Sequence, residues 1–249
     1  MIEPYQYLNW DSEFFGLRIA KLNKSRLNSG TMAETLSWCV QNSIDCLYFL
    51  ADSNDQATIR LAEDNRFRLV DLRMSMRCQI DSNTVSPQPN YDFTIRPVET
   101  QDINRLRSIA RSSFTLTRFY SDSCFPREKC DEMYDVWITR SCQGYADQVL
   151  VAIHNGVPHG FISLHLKSEV GEIGIIGVSR KTRRVGIGRA LVESALYWYH
   201  SVGIRQVIVA TQGKNYRAQN FFQHNGFDVY NMHIWYHKWF SGCSKDGNS

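Results

Sequence analysis

The sequence predicts an α/β fold built on a mixed sheet. Three observations carry this. Short apolar or alternating runs alternate with amphipathic helical stretches along most of the chain. Asn155-Gly156 separates two apolar runs, the strongest short-range hairpin signal, so part of the sheet is antiparallel. Elsewhere strand, helix and strand follow one another, as crossover units require.

The N-terminal part reads β-α-β-α-β. Leu17–Leu22 is a short strand. Thr31–Ile44 has helical spacing at Met32, Leu36, Cys39 and Val40. Cys46–Ala51 is an apolar run bounded by polar residues, hence a buried strand. Asn54–Asn65 is an amphipathic helix with Ala57, Leu61 and Ala62 inward, capped by Asn54 or Asp55. Phe67–Ile80 alternates and reads as a strand. Residues 1–80 are therefore expected as a smaller α/β domain. Residues 81–91, polar and holding Pro87 and Pro89, read as a linker.

Residues 92–240 form the larger unit. Asp92–Arg96 is a strand stopped at Pro97, and Asp102–Ser112 and Glu128–Arg140 are helices. Val149–His154 and Val157–Leu166 flank the hairpin turn, and Glu172–Val178 is a third consecutive strand. A helix over Gly186–Tyr199, a buried strand over Gln206–Thr211 and a helix over Tyr216–His224 follow. Asn225-Gly226 terminates that helix. Phe227–Phe240 is a long aromatic strand, and 241–249 a disordered polar tail. Residues 51–70 echo residues 210–230: strand, polar turn, helix, then Asn-x-Phe into a strand. Two readings are open. The N-terminal part is a degenerate half copy of the C-terminal fold, or two α/β hairpins look alike because the same physics shaped both.

The 249 residues carry 28 Lys+Arg against 25 Asp+Glu, a net charge of +3. A dedicated nucleic-acid binder is far more basic, so no nucleic-acid partner is expected. With 43% hydrophobic and 21% charged residues, the chain buries a sizeable core, which excludes disordered, collagen-like and small disulfide-scaffold classes. None of the 7 cysteines forms a CxxC pair, and the N-terminus lacks a basic-then-apolar signal. No apolar stretch approaches the ~20 residues of a membrane span. These features predict a cytoplasmic protein with free thiols and no membrane partner. His233 and His237 could share a strand face, but nothing completes a ligand set, so no metal is expected. His224, near a helix end, reads as a surface residue.

The informative stretch is 171–200. An apolar strand runs into a loop bearing Arg180, Lys181, Arg183 and Arg184; Gly186 and Gly188 follow, then a helix. Glycines let backbone N–H groups approach a phosphate, and a helix N-terminus adds free donors and a positive dipole end. The loop suits a pyrophosphate. It is neither a dinucleotide fingerprint, since Leu191 stands where the third glycine belongs, nor a P-loop, since G-K-[ST] is missing.

The remaining pattern, R-x-x-G-x-G at Arg183, Gly186 and Gly188, resembles the coenzyme A signature of the GNAT acetyltransferase superfamily. Asn215, Ala218, Phe222, Gly226 and Phe227 match the superfamily's later N-x-x-A-x-x-x-[YF]-x-x-x-G-F pattern. YLNWDSEFFG near the start, SSFTLTRFY in the middle, and VATQGKN with AQNFFQHNG near the end resemble dTDP-amino-sugar N-acyltransferases of the TDP-fucosamine acetyltransferase type. The resemblance implies a GNAT fold and an acyl-CoA co-substrate, either acetyl-CoA or a longer chain such as 3-hydroxybutyryl-CoA. It also implies acylation of a dTDP-linked 3- or 4-amino-dideoxyhexose in bacterial surface-glycan synthesis, such as O-antigen or lipopolysaccharide. A homodimer is left open.

By resemblance, Ile176, Gly177 and Val178 hold the pantetheine arm. Arg183, Arg184, Val185, Gly186, Ile187, Gly188 and Arg189 take the pyrophosphate, and Asn215, Ala218 and Phe222 complete the acyl-CoA site. Glu172 occupies the position of the superfamily's base glutamate; a solvated strand-end carboxylate is the alternative. Phe222 stands where many members carry a tyrosine acid and cannot donate a proton. Phe114, Arg118, Phe119, Tyr120 and Gln212 are expected to border the acceptor, with Arg118 on a diphosphate and the aromatics on a base; core aromatics with a solvated Arg118 are the alternative. Two other readings survive: a protein or small-amine N-acetyltransferase, and a non-catalytic CoA-binding module.

Overall fold

The structure is a computed structural model that describes residues 3–81, 91–182 and 185–240. Most of the expected linker, the expected tail, Arg183 and Arg184 lie outside the described residues. Among these residues ten strands form one mixed sheet. The N-terminal part contributes β1 (Tyr5–Tyr7), α1 (Asn9–Phe15), β2 (Ile19–Leu22), α2 (Ser29–Gln41), β3 (Cys46–Asp52), α3 (Gln56–Asp64) and β4 (Arg68–Gln79). Then follow β5 (Thr94–Pro97), α4 (Ile103–Ser113), α5 (Arg118–Ser121), α6 (Arg127–Arg140), β6 (Gln148–His154), β7 (Val157–Lys167) and β8 (Val170–Val178). The chain closes with α7 (Ile187–Ser201), β9 (Gln206–Gln212), α8 (Tyr216–His224) and β10 (Asp228–Trp239).

Local chemistry accounts for the boundaries. Asn28 caps α2 by accepting from Thr31 N–H, while the Thr31 hydroxyl accepts from Asn28 N–H. The β6–β7 turn places Asn155 and Gly156 at φ 49° and 73°, as a two-residue hairpin turn requires. β3 is apolar from Cys46 to Ala51 because both its edges are paired and both its faces covered.

Strand order is β1-β2-β3-β10-β4-β9-β8-β7-β6-β5. The chain's last strand is thus inserted between two strands of the N-terminal part. The elements β3, α3 and β4 recur as β9, α8 and β10 with the same lengths and a constant spacing of 160 residues: Cys46 and Gln206, Gln56 and Tyr216, Arg68 and Asp228 begin the paired elements. β2 runs parallel to β3 from Ile19↔Cys46, and β8 parallel to β9 from Val170↔Gln206. β4 and β10 pair antiparallel with Arg73 opposite His233, the residues that the spacing makes equivalent. A pseudo-twofold axis passes between them. Each half donates its final strand to the other: β10 pairs with β3, and β4 with β9.

The sheet is covered on both faces. On one, α4 and α6 pack over Val149, Val151 and Phe161, and the same apolar layer reaches Phe15 of α1 and Phe119 of α5. On the other, α7 packs over Leu150, Ile162 and Leu164, and α2 and α3 cover the N-terminal strands.

Cys39, Cys46, Cys78, Cys130 and Cys142 carry free thiols. Cys124 is disulfide-bonded, against the expectation of free thiols throughout. Cys243 lies outside the described residues.

Candidate active site

The site begins where two strands part. β8 and β9 pair from Val170↔Gln206 to Ile173↔Val209 and no further. Opposite this point the β7–β8 ladder slips, from Ile162↔Ile176 to Leu164↔Ile173, a bulge in β8. Ser163 Oγ fills the bulge by accepting from Ile175 N–H at 3.0 Å. Beyond it, the β9-side edge of Ile176–Val178 is unpaired, an open row of backbone donors and acceptors. Glu172, Gly174, Ile176 and Val178 alternate on the half-buried side.

α7 starts beside this opening. Gly186, at φ 88°, is its N-cap and makes no side-chain capping bond, so the first-turn N–H groups have no side-chain cap. At Gly188 a Cβ would stand 3.1 Å from the Phe221 ring of α8. The missing side chain therefore lets α7 and α8 approach across the cleft. Arg189 turns along its helix to Glu193 at 2.7 Å, and Arg180 donates to the Ser112 carbonyl at 3.1 Å. Asn215 caps α8 through Ala218 N–H.

A cavity of about 540 Å³ passes through the opening. Ala218 and Phe222 line it from one sheet face, while Arg118, Phe114 and Tyr134 line it from the other. Of the expected residues, Glu172, Ile176, Asn215, Ala218, Phe222, Phe114, Arg118, Phe119 and Gln212 meet here. Gly177, Val178, Val185, Ile187, Gly188 and Arg189 do not line this cavity. Tyr120 also does not line it: its hydroxyl bonds Asp131 at 2.7 Å and Arg127 lies 4.2 Å over its ring. Phe222 is buried against Phe221 and Phe227 and supplies no hydroxyl.

Arg118 is held in an aromatic cage, its guanidinium 4.1 Å over Phe119, 4.4 Å over Trp235 and 4.8 Å over Tyr48. Its Nε is buried without a hydrogen-bond partner. Asp11 and Asp71 also line the cavity, and burial pushes both carboxyls above the ordinary range. Arg73 projects from β4; burial lowers its pKa while nearby Glu172 opposes the shift. Trp10, Asp11, Asp71, Arg73 and His165 escaped the sequence reading. Trp10 and Asp11 lie in the N-terminal YLNWDSEFFG stretch, a usable signal. Asp71 and Arg73 carry none, because only the strand exchange brings β4 beside β9.

Two histidines away from this site have structural partners. His237 Nδ1 bonds Asp122 at 2.7 Å in a fully buried pair, and His224 Nδ1 bonds the Asn220 carbonyl at 2.6 Å. Among the described residues no cluster of three or more His, Cys, Asp or Glu side chains could hold a metal, and no helix is long and apolar enough to cross a membrane.

Residues 107–227, just under half of the chain, match the Acetyltransferase (GNAT) family, and the mixed sheet with its parted strands has the fold of GNAT N-acetyltransferases. Particular relatives narrow the comparison. The chain is similar to the Bacillus subtilis (strain 168) spore coat polysaccharide biosynthesis protein SpsD, 25% identical over 147 residues, covering 59% of this chain and 51% of that protein. It is similar to mycothiol acetyltransferase of Beutenbergia cavernae, 35% identical over 66 residues, covering 26% of this chain and 22% of that protein. The chain therefore spans about half of the first curated relative and about a fifth of the second. A GCN5-related N-acetyltransferase structure from Sphaerobacter thermophilus shares the fold, with a TM-score of 0.69 at 17% identity, covering 94% of this chain and 76% of that one.

Proposed function

We propose that this protein transfers an acyl group from acyl-CoA to the amine of a dTDP-linked 3- or 4-amino-dideoxyhexose, in the assembly of a bacterial surface glycan. The caged Arg118 carries the reading. A buried guanidinium with a vacant donor, beside cavity aromatics such as Trp10 and Tyr134, suits a diphosphate and its base or sugar. The relative named for spore coat polysaccharide biosynthesis supports a saccharide acceptor.

The residues present fit acyl-CoA. The unpaired edge of Ile176–Val178 offers backbone partners to an extended pantetheine arm. The N-terminus of α7, flanked by Arg180 and Lys181, offers N–H groups and positive charge to a pyrophosphate. Acyl-CoA brings the thioester electrophile. The acceptor's ammonium loses a proton, its lone pair forms the C–N bond, the C–S pair departs on sulfur, and the nitrogen's second proton is balanced by protonation of the thiolate. Glu172 borders the cavity where that proton is shed. A thiol with pKa near ~8.5 leaves without an acid, so Phe222 is compatible with turnover.

The test is turnover on dTDP-3-amino- and dTDP-4-amino-6-deoxyhexoses against basic peptides and polyamines. Activity confined to peptides or polyamines overturns the sugar reading. Arg118→Ala should raise KM for the nucleotide sugar at least about tenfold and leave KM for acyl-CoA within about threefold.

A further inference from the structure

His165 on β7 stands directly opposite Glu172 on β8, and both residues line the cavity. Their strands are pinned at this point by a third residue. The Tyr199 hydroxyl, reaching from α7 on the other face, accepts from His165 N–H at 3.2 Å and donates to the Glu172 carbonyl at 2.7 Å. Gly174 makes room for the imidazole, since a Cβ there would stand 2.6 Å from His165 Nε2. The Tyr145 ring meets the imidazole edge-on at 5.4 Å.

Resting on the acyl-transfer reading above, we propose that the acceptor amine hands its proton to a Glu172–His165 pair, with the imidazole as the receiving base. The ammonium N–H bond breaks and its proton passes to the imidazole. The freed lone pair forms the amide C–N bond as the C–S bond breaks. The nitrogen sheds its second proton, one proton neutralises the CoA thiolate, and the other reaches solvent. Ammonium and acyl-CoA thus give amide, free CoA and one released proton.

The surroundings prepare the imidazole for this. Burial and Lys167 on β7 lower its pKa, opposed by Glu172, by Asp147 before β6 and by a hydrogen bond with the Tyr145 backbone. Tyr199 faces it as a neutral phenol, its pKa pushed up by burial. The imidazole is consequently neutral and proton-accepting at pH 7. Its pKa also lies nearer that of an amine than a carboxylate's does, which favours proton transfer.

The experiment compares kcat/KM against pH for wild type, His165→Gln and Glu172→Gln, with the His165 imidazole titrated by NMR and acyl-CoA affinity measured as a folding control. The acid limb of wild-type kcat/KM should coincide with the His165 titration. His165→Gln should lose about 10²–10³-fold in kcat/KM at pH 7 and lose that limb, with acyl-CoA affinity within about threefold. Glu172→Gln should move both the limb and the His165 titration to lower pH together, because Glu172 favours the charged imidazole. This shift also decides the matter if His165→Gln does not fold. An unmoved limb in His165→Gln, or in Glu172→Gln a limb that departs from the His165 titration, overturns the pair. A wild type that binds acyl-CoA yet acylates no amine overturns the acyl-transfer reading and this inference with it.

Discussion

At Gly188 the missing side chain serves the helix pair as much as the ligand. Any Cβ meets Phe221, and a carboxylate adds charge where phosphate oxygens are expected. Gly188→Asp should therefore weaken acyl-CoA binding at least about tenfold, or ~1.4 kcal/mol, measured by calorimetry on the folded variant; an unchanged Kd would remove the pyrophosphate assignment. Phe222 is buried and apolar. Phe222→Tyr should change kcat by less than about tenfold, whereas Phe222→Ala should impair turnover and stability through the cavity it leaves. A rise of several orders of magnitude on adding the hydroxyl would mean that the natural protein lacks a needed acid. These residues were legible in the sequence because glycines and a strand-to-helix loop act locally. His165 was not, because its meaning depends on a residue on the neighbouring strand.

Among the elements, α5 and β10 are fastened by a buried charge. Asp122 Oδ2 accepts from His237 Nδ1 at 2.7 Å and from Trp239 Nε1 at 2.9 Å. Burial lowers the His237 pKa from 6.5 to about 4, so the folded imidazole stays neutral while the unfolded one protonates. Between these values the unfolded state binds more protons. Stability is therefore intact above pH 6.5 and lost as pH falls towards 4, by about 3 kcal/mol. Denaturant unfolding at pH 7, 6, 5 and 4 should show this slope, and His237→Gln should flatten it; a wild type with no slope would contradict the neutral buried imidazole. The longer elements were legible from their periodicity, α2 to α4 and α6 to α8 within a few residues at each end. β1, α1 and α5 were not, being too short for a period to register against their surroundings. The echo of residues 51–70 in 210–230 was visible, and the structure extends it to strand length and register.

For the whole molecule, the exchange of β4 and β10 governs cooperativity. Residues 92–240 alone would leave β9 without β4 and β10 without either of its neighbours, β3 and β4. That fragment should fail to give a cooperative unfolding transition, and the full chain should unfold in one step by calorimetry; a stably folded fragment would show the halves to be independent. No local pattern reveals this arrangement, since pairing partners lie far apart in sequence. The N-terminal half also shows what became of its own cleft. Asp52 N–H bonds the Ser25 carbonyl, and Leu27 N–H bonds the Thr58 hydroxyl, so the chain itself fills the space where its counterpart parts its strands. The exchange bears finally on birth of the protein at the ribosome. β3 and β4 emerge early, yet the strand that belongs between them is among the last to be made. Until β10 is made, the edges of β3 and β4 that it covers lack their native partner and are open to mispairing.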